Sequence, residues 1–147
     1  MKKYLSLILI LLVVISCKEK LTEQVVEKFP DGGKRRVQYF KEGVEPKVMV
    51  KEVFYYQNGQ KRVEGYYNAE GNKDGKWIYW YEDGTKWSEG YFSNGENDKK
   101  RTTWHENGEL HYSGTYDKGK RIGVWKFFDE TGKLAKEIDY DKNPEGE

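Results

Sequence analysis

The chain has a single cysteine, Cys17, in 147 residues, so no internal disulfide can staple it. No apolar run is longer than Leu5 to Ile15, which Ser6 interrupts. Eleven residues of helix rise about 16 Å, well short of the ~30 Å needed to cross a bilayer. The only serines after Cys17 are Ser88, Ser93 and Ser113, and none lies in a nucleophile-elbow pattern. No phosphate-cradling glycine loop is present. The two histidines, His105 and His111, lack a third ligand at metal-binding spacing, and no pair of carboxylates stands out. A non-catalytic protein with no metal and no cofactor is expected.

Strong net charge is also missing, at +1 overall. Removing the Lys2 and Lys3 charges with residues 1–16 would leave −1. Such a balance provides no basic field for nucleic acid. Lys34-Arg35-Arg36 and Lys99-Lys100-Arg101 are short, flanked by acids, and read as solvated faces. Charged residues make up 35% of the chain, which could suggest disorder, but 5 Trp, 12 Tyr and 6 Phe argue for a fold with a thin core.

The start, MKKYLSLILILLVVISCKEK, places two lysines before the apolar run and a small residue before Cys17. That is the layout of a signal peptide. Val14-Ile15-Ser16-Cys17 resembles the lipobox of bacterial lipoproteins. The resemblance implies cleavage after residue 16 and acylation of Cys17, with the lipid bilayer as a partner. Each buried methylene contributes about 0.8 kcal/mol, and two or more acyl chains anchor stably. Lys18 resembles the residue that directs such proteins to the outer membrane. The expected organisation is a signal peptide over 1–16, a lipidated cysteine and tether over 17–23, a repeat domain over 24–142 and a charged tail over 143–147.

The body of the chain repeats. Gly59, Gly84, Gly108 and Gly132 are spaced 25, 24 and 24 residues apart, and Gly65, Gly90 and Gly114, with Ile138 in fourth place, keep the same spacing. A third series is Gly71, Gly95 and Gly119, and FPDGGKRRVQYF (29–40) reads as a degenerate first unit. Fixed-period similarity of this kind marks a repeat architecture. Asn-Gly and Asp-Gly between aromatic and β-branched runs signal hairpins whose two central residues both take positive φ. The fold class expected is all-β: a meander of about ten antiparallel strands, ~24 residues per repeat, in an elongated, twisted, largely single-layer sheet. SNGENDK (93–99) is expected to loop between hairpins. With a two-residue turn Trp77 would face Gly90, Arg101 Gly114 and Trp125 Ile138, a ring over glycine restoring missing contact. A three-residue loop would instead flip one strand.

Two columns stay aromatic in every copy and are expected to form the spine of the sheet: Tyr55, Trp80, Trp104, Phe128, and Tyr67, Phe92, Tyr116, Tyr140. Two others vary. Arg62, Trp87, His111 and Ala135 share one position, and Tyr66, Tyr91, Thr115 and Asp139 another. Variation frees a site from the scaffold, so Arg62, Trp87, His111, Tyr66 and Tyr91 are the candidate binding residues.

NG-x-K/L-x-x-x-G-x-Y/F followed by a glycine turn and DGKW or IGVW resembles the variant MORN repeat, including a branch labelled antitoxin-like. The third copy departs, with DKKRTTW (98–104) in place of DGKW, which questions its turn geometry. The resemblance implies a binding or membrane-associated module without catalytic residues. Three functions follow as expectations. They are protein–protein interaction in the cell envelope, glycan or cell-wall binding through the aromatic columns, and immunity against an envelope-acting toxin.

Overall fold

A computed structural model describes residues 20–146. The segment expected to be a signal peptide, residues 1–16, and Cys17 lie outside the described residues. Ten strands follow one another: β1 (Leu21–Lys28), β2 (Lys34–Lys41), β3 (Met49–Tyr55), β4 (Lys61–Tyr67) and β5 (Lys73–Trp80). They continue with β6 (Lys86–Ser93), β7 (Glu96–Trp104), β8 (Leu110–Asp117), β9 (Lys120–Phe128) and β10 (Leu134–Asp139). Each pairs antiparallel with its neighbours in chain order, giving one ten-stranded open meander. Leu21 to Glu23, read from the sequence as tether, are the first residues of β1.

The hairpin turns differ from the Asn-Gly expectation. In the turn after β3, Gly59 N–H donates to Tyr56 C=O, and Tyr56 N–H to Gln60 C=O. The turns ending in Gly32, Gly84, Gly108 and Gly132 repeat that pattern. Among their loop residues only the glycine has positive φ, so each is a three-residue loop rather than a primed two-residue turn. The residue before the glycine helps where it is Asn or Asp: Asn58, Asp83 and Asn107 each accept the backbone N–H two residues on. The primed geometry occurs instead at Asn94-Gly95 and Lys118-Gly119, where both φ values are positive. SNGENDK is therefore no loop. Only Asn94 and Gly95 turn the chain, and Glu96 to Lys99 belong to β7.

A three-residue loop alone would reverse the faces of one strand. One extra residue in each hairpin restores the phase. Pairing passes over Arg62 between Lys61 and Val63, over Trp87 between Lys86 and Ser88, over His111 between Leu110 and Tyr112, and over Ala135 between Leu134 and Lys136. Each is a β-bulge, which leaves one residue unpaired and re-aims its side chain. Beyond the bulge Trp77 pairs with Gly90, Arg101 with Gly114 and Trp125 with Ile138. Of the two variable columns found in the sequence, the one holding Arg62, Trp87, His111 and Ala135 is the bulge column.

With a single layer, little can be buried. The buried apolar residues are Val37, Val53, Trp77, Trp125, Ile138 and Tyr140, and Glu52, Ser88 and Thr103 are buried with them. Trp77 does not cover Gly90, which it faces on the following strand and which Arg101 lies over instead, and Trp125 faces Ile138 there. The two indoles fill the space above Gly65 and Gly114 on the preceding strand, and their Nε1 atoms donate to Tyr66 C=O at 3.0 Å and Thr115 C=O at 3.2 Å. Each repeat is thereby keyed into the one before it. At the turn end Tyr56 and Tyr81 hydroxyls donate to the Trp80 and Trp104 carbonyls of the next repeat. His105 Nε2 is 3.1 Å from Phe128 O, and because a carbonyl only accepts, the ring carries its proton on that nitrogen.

The third copy keeps the geometry of its neighbours despite its departing sequence. Gly75 and Gly123 have φ of 76° and 60°, and Lys99, between them in the repeat, has 59°. A lysine holds the left-handed conformation that glycine holds elsewhere.

Candidate functional site

Residues of one strand alternate between faces, so the two aromatic columns expected to form one spine separate. Tyr67, Phe92, Tyr116 and Tyr140 lie on the face of Trp77 and Trp125, meeting those indoles edge-on at 4.9–5.9 Å between ring centroids. Trp80 and Trp104 lie on the opposite face, beneath the ammonium groups of Lys61 and Lys86 at 5.9 and 5.2 Å. Tyr55 and Phe128, in the same column, are half-buried like them.

The candidate binding residues divide in the same way. Tyr66 and Tyr91 belong to the Lys-Glu face, under Lys51 and Lys99 at 5.6 and 5.9 Å. There Glu64 bonds to Lys61 and, at 2.9 Å, to Lys51; Glu89 sits 2.8 Å from Lys86 and 3.4 Å from Lys76. Burial pushes the Glu64 carboxyl up, but its two lysines outweigh that and hold it below the usual range. Glu89 is also low, held there first by its bond to Lys86. This face is a charge ladder that satisfies itself.

Arg62, Trp87 and His111 occupy the other face, where the bulge turns them. Arg62 borders a depression with Glu27, Arg35, Tyr56 and Glu82. Trp87 and His111 are walls of one cleft of about 410 Å³, completed by Tyr79, Ser88, Arg101, Thr103 and Tyr112. Trp87 is 46% exposed and meets Tyr79 edge-on at 5.7 Å. His111 stacks on His105 at 4.2 Å and meets Tyr112 at 5.2 Å. Burial, and then the neighbouring His105, hold the His111 imidazole below its ordinary pKa. Among the described residues no group of three metal-ligating side chains gathers here.

The floor of the cleft is polar. Ser88 and Thr103 pair across β6 and β7, are 5% and 3% exposed, and their hydroxyl oxygens have no hydrogen-bond partner among the described residues. Arg101 Nε is buried without a partner as well, while its Nη2 donates to Asn97 Oδ1 at 2.6 Å. Reading the sequence for variable columns finds Trp87 and His111 and misses Ser88, Thr103, Tyr79 and Tyr112. Arg101 carried a signal: it stands where two other copies have Trp77 and Trp125.

That column holds Glu52, Trp77, Arg101 and Trp125, paired in turn with Gly65, Gly90, Gly114 and Ile138. Glu52 is 3% exposed and accepts from Arg36 Nε at 2.6 Å, Gln38 Nε2 at 2.9 Å and Tyr67 Oη at 3.0 Å. Burial, then the bond to Glu52, raise the Tyr67 phenol, so it stays a donor. Lys73 lies over Trp77 at 4.0 Å and Arg121 over Trp125 at 4.7 Å. In the third copy the pair is inverted, with Asn97 in the cation's place and Arg101 in the indole's.

No curated protein matches the chain in sequence. The profile of the MORN repeat variant matches residues 50–69, 73–94, 97–118 and 121–142, more than half the chain. These segments are the successive hairpin units of the meander, each tied to its neighbour by the contacts above. Repeats of this kind are typically non-catalytic binding or scaffold modules, and the chain belongs to the MORN repeat variant family.

Proposed function

We propose that the chain is a lipid-anchored, non-catalytic binding module of the bacterial envelope whose partner is a protein. The observation that carries the binding role is the cleft at Trp87. A half-exposed indole stands beside buried polar atoms that nothing among the described residues satisfies. Exposed aromatic side chains next to desolvated polar groups are the usual anchors of interfaces. The support for anchoring lies in the lipobox-like Val14 to Cys17 and the apolar run before it. Lys18 supports the outer membrane as the address. An antitoxin-like role fits this reading only against a toxin acting in the envelope, since an exported chain does not meet a cytosolic target.

Affinity capture from a native envelope extract, with residues 18–147 as bait and half the extract protease-treated, tests the partner. A stoichiometric protein retained only from the untreated half supports the reading. Retention of polysaccharide from both halves replaces it with glycan binding. Fractionation of Cys17→Ala tests the anchor, with loss from the membrane pellet as the expected result.

A further inference from the structure

Arg101 has no ion-pair partner among the described residues, although Arg36, Lys51, Lys61, Lys76 and Lys86 all have one. Among the described residues it is the only one carrying a charge at neutral pH that lines the cleft. Beside it lie two buried hydroxyls, Ser88 and Thr103, which like its own Nε lack a partner. Two unsatisfied hydroxyls beside a guanidinium whose own Nε–H is unsatisfied are a costly arrangement unless something supplies acceptors. Glu52, in the same column, shows how this sheet treats a buried charge, with a cation and two further donors on one carboxylate.

We propose that the cleft takes a single carboxylate, the side chain of an Asp or Glu in an acidic segment of the partner protein, as the counter-ion of Arg101. The proposal rests on the protein-partner reading above and names the chemistry of that partner. One carboxylate oxygen accepts from Arg101 Nε–H, and the Ser88 and Thr103 hydroxyls donate to the pair of oxygens. Entry turns the exposed Trp87 ring aside and seats the methylenes of the acid against Tyr79 and Tyr112. One cation matches a monoanion better than a phosphate group, which carries about −1.5 to −2 at neutral pH. A sugar acid would carry its ring hydroxyls against Trp87, Tyr79 and Tyr112 after its carboxylate had taken the polar atoms of the floor.

The test titrates the full chain in detergent with acetyl-tetraglutamate amide, reading the Arg101 Nε–H and Trp87 indole N–H resonances. Both should move, and acetyl-tetraglutamine amide should bind tenfold or more weakly, as expected for loss of a charge-assisted bond worth roughly that factor. Arg101→Gln should abolish the response. If that variant unfolds, Asn97→Lys with Arg101→Trp writes the Lys73–Trp77 arrangement into the third copy, and should fold while losing the Trp87 response. Equal binding of the two peptides, or no shift with either, overturns the proposal. Tighter binding of glucuronate than of tetraglutamate overturns the peptide source. Capture of the same envelope protein by the double variant would leave the protein-binding function standing and remove this site. Tetraglutamate binding at the cleft without any captured protein would do the reverse.

Discussion

The Trp77 indole fills the space above Gly65 so closely that a β-carbon on the glycine would lie 2.1 Å from Cδ2. Trp125 has the same relationship to Gly114. Neither glycine has positive φ, so side-chain room rather than backbone freedom requires them. Gly65→Ala and Gly114→Ala should each destabilise by about 1–3 kcal/mol through overpacking. A β-carbon on Gly90 would have as its nearest neighbour Arg101 Nε at 3.0 Å, near the end of a long side chain, and Gly90→Ala should lose under ~1 kcal/mol. Urea unfolding of the three variants measures the order.

Lys99 holds a φ of 59° where the neighbouring repeats place Gly75 and Gly123. A side chain in that region is strained, and part of the relief on removing it is offset by the greater freedom of unfolded glycine. Lys99→Gly should therefore stabilise the sheet by up to about 1 kcal/mol. Thermal unfolding would show a raised midpoint, and a lowered one would mean that the lysine's position over Tyr91 matters more.

Burial separates three tryptophans that look alike in sequence. Trp125 is fully buried, and Trp125→Ala should cost ~3–5 kcal/mol. Trp80 is half-buried on the charged face, so Trp80→Ala should lose less than that. Trp87→Ala, at a bulge and 46% exposed, should lose less than about 1 kcal/mol while weakening partner binding. Circular dichroism melts with a capture assay distinguish scaffold from site.

His111 makes stability depend on pH. Its folded pKa lies below the ordinary 6.5, through burial first and His105 second. The unfolded chain then takes up a proton before the folded one as pH falls. Stability present above about 6.5 is lost as pH falls through the folded value. Glu64 and Glu89, held below 4.5, keep their contributions until the pH is lower still. Denaturant midpoints should fall between pH ~7.5 and ~5, and His111→Gln should flatten that change.

The period, strand count and hairpin order were legible because repeated turn glycines and alternating aromatics are local signals. The pairings of Trp77 with Gly90 and Arg101 with Gly114 were expected for a two-residue turn and hold for another reason, the bulge offsetting a three-residue loop. The turn type was not legible, since Asn-Gly suits both a primed turn and a three-residue loop ending in glycine. The bulge hid for a related reason: its extra residue cancels the loop's phase error, so the pairing looks as a two-residue turn would make it.

The sequence by itself determined an all-β repeat of hairpins in chain order and the variable column that coincides with the bulges. Local φ preferences and period-two alternation suffice for those. Only the tertiary structure decided that Tyr66 and Tyr91 face away from Trp87 and His111, and that each indole covers the glycine behind it. It also brought together the Ser88 and Thr103 hydroxyls and Arg101 Nε, none of which has a hydrogen-bond partner among the described residues. Those features depend on contacts between neighbouring strands, and on bulges that turn side chains to a chosen face, which no local pattern encodes.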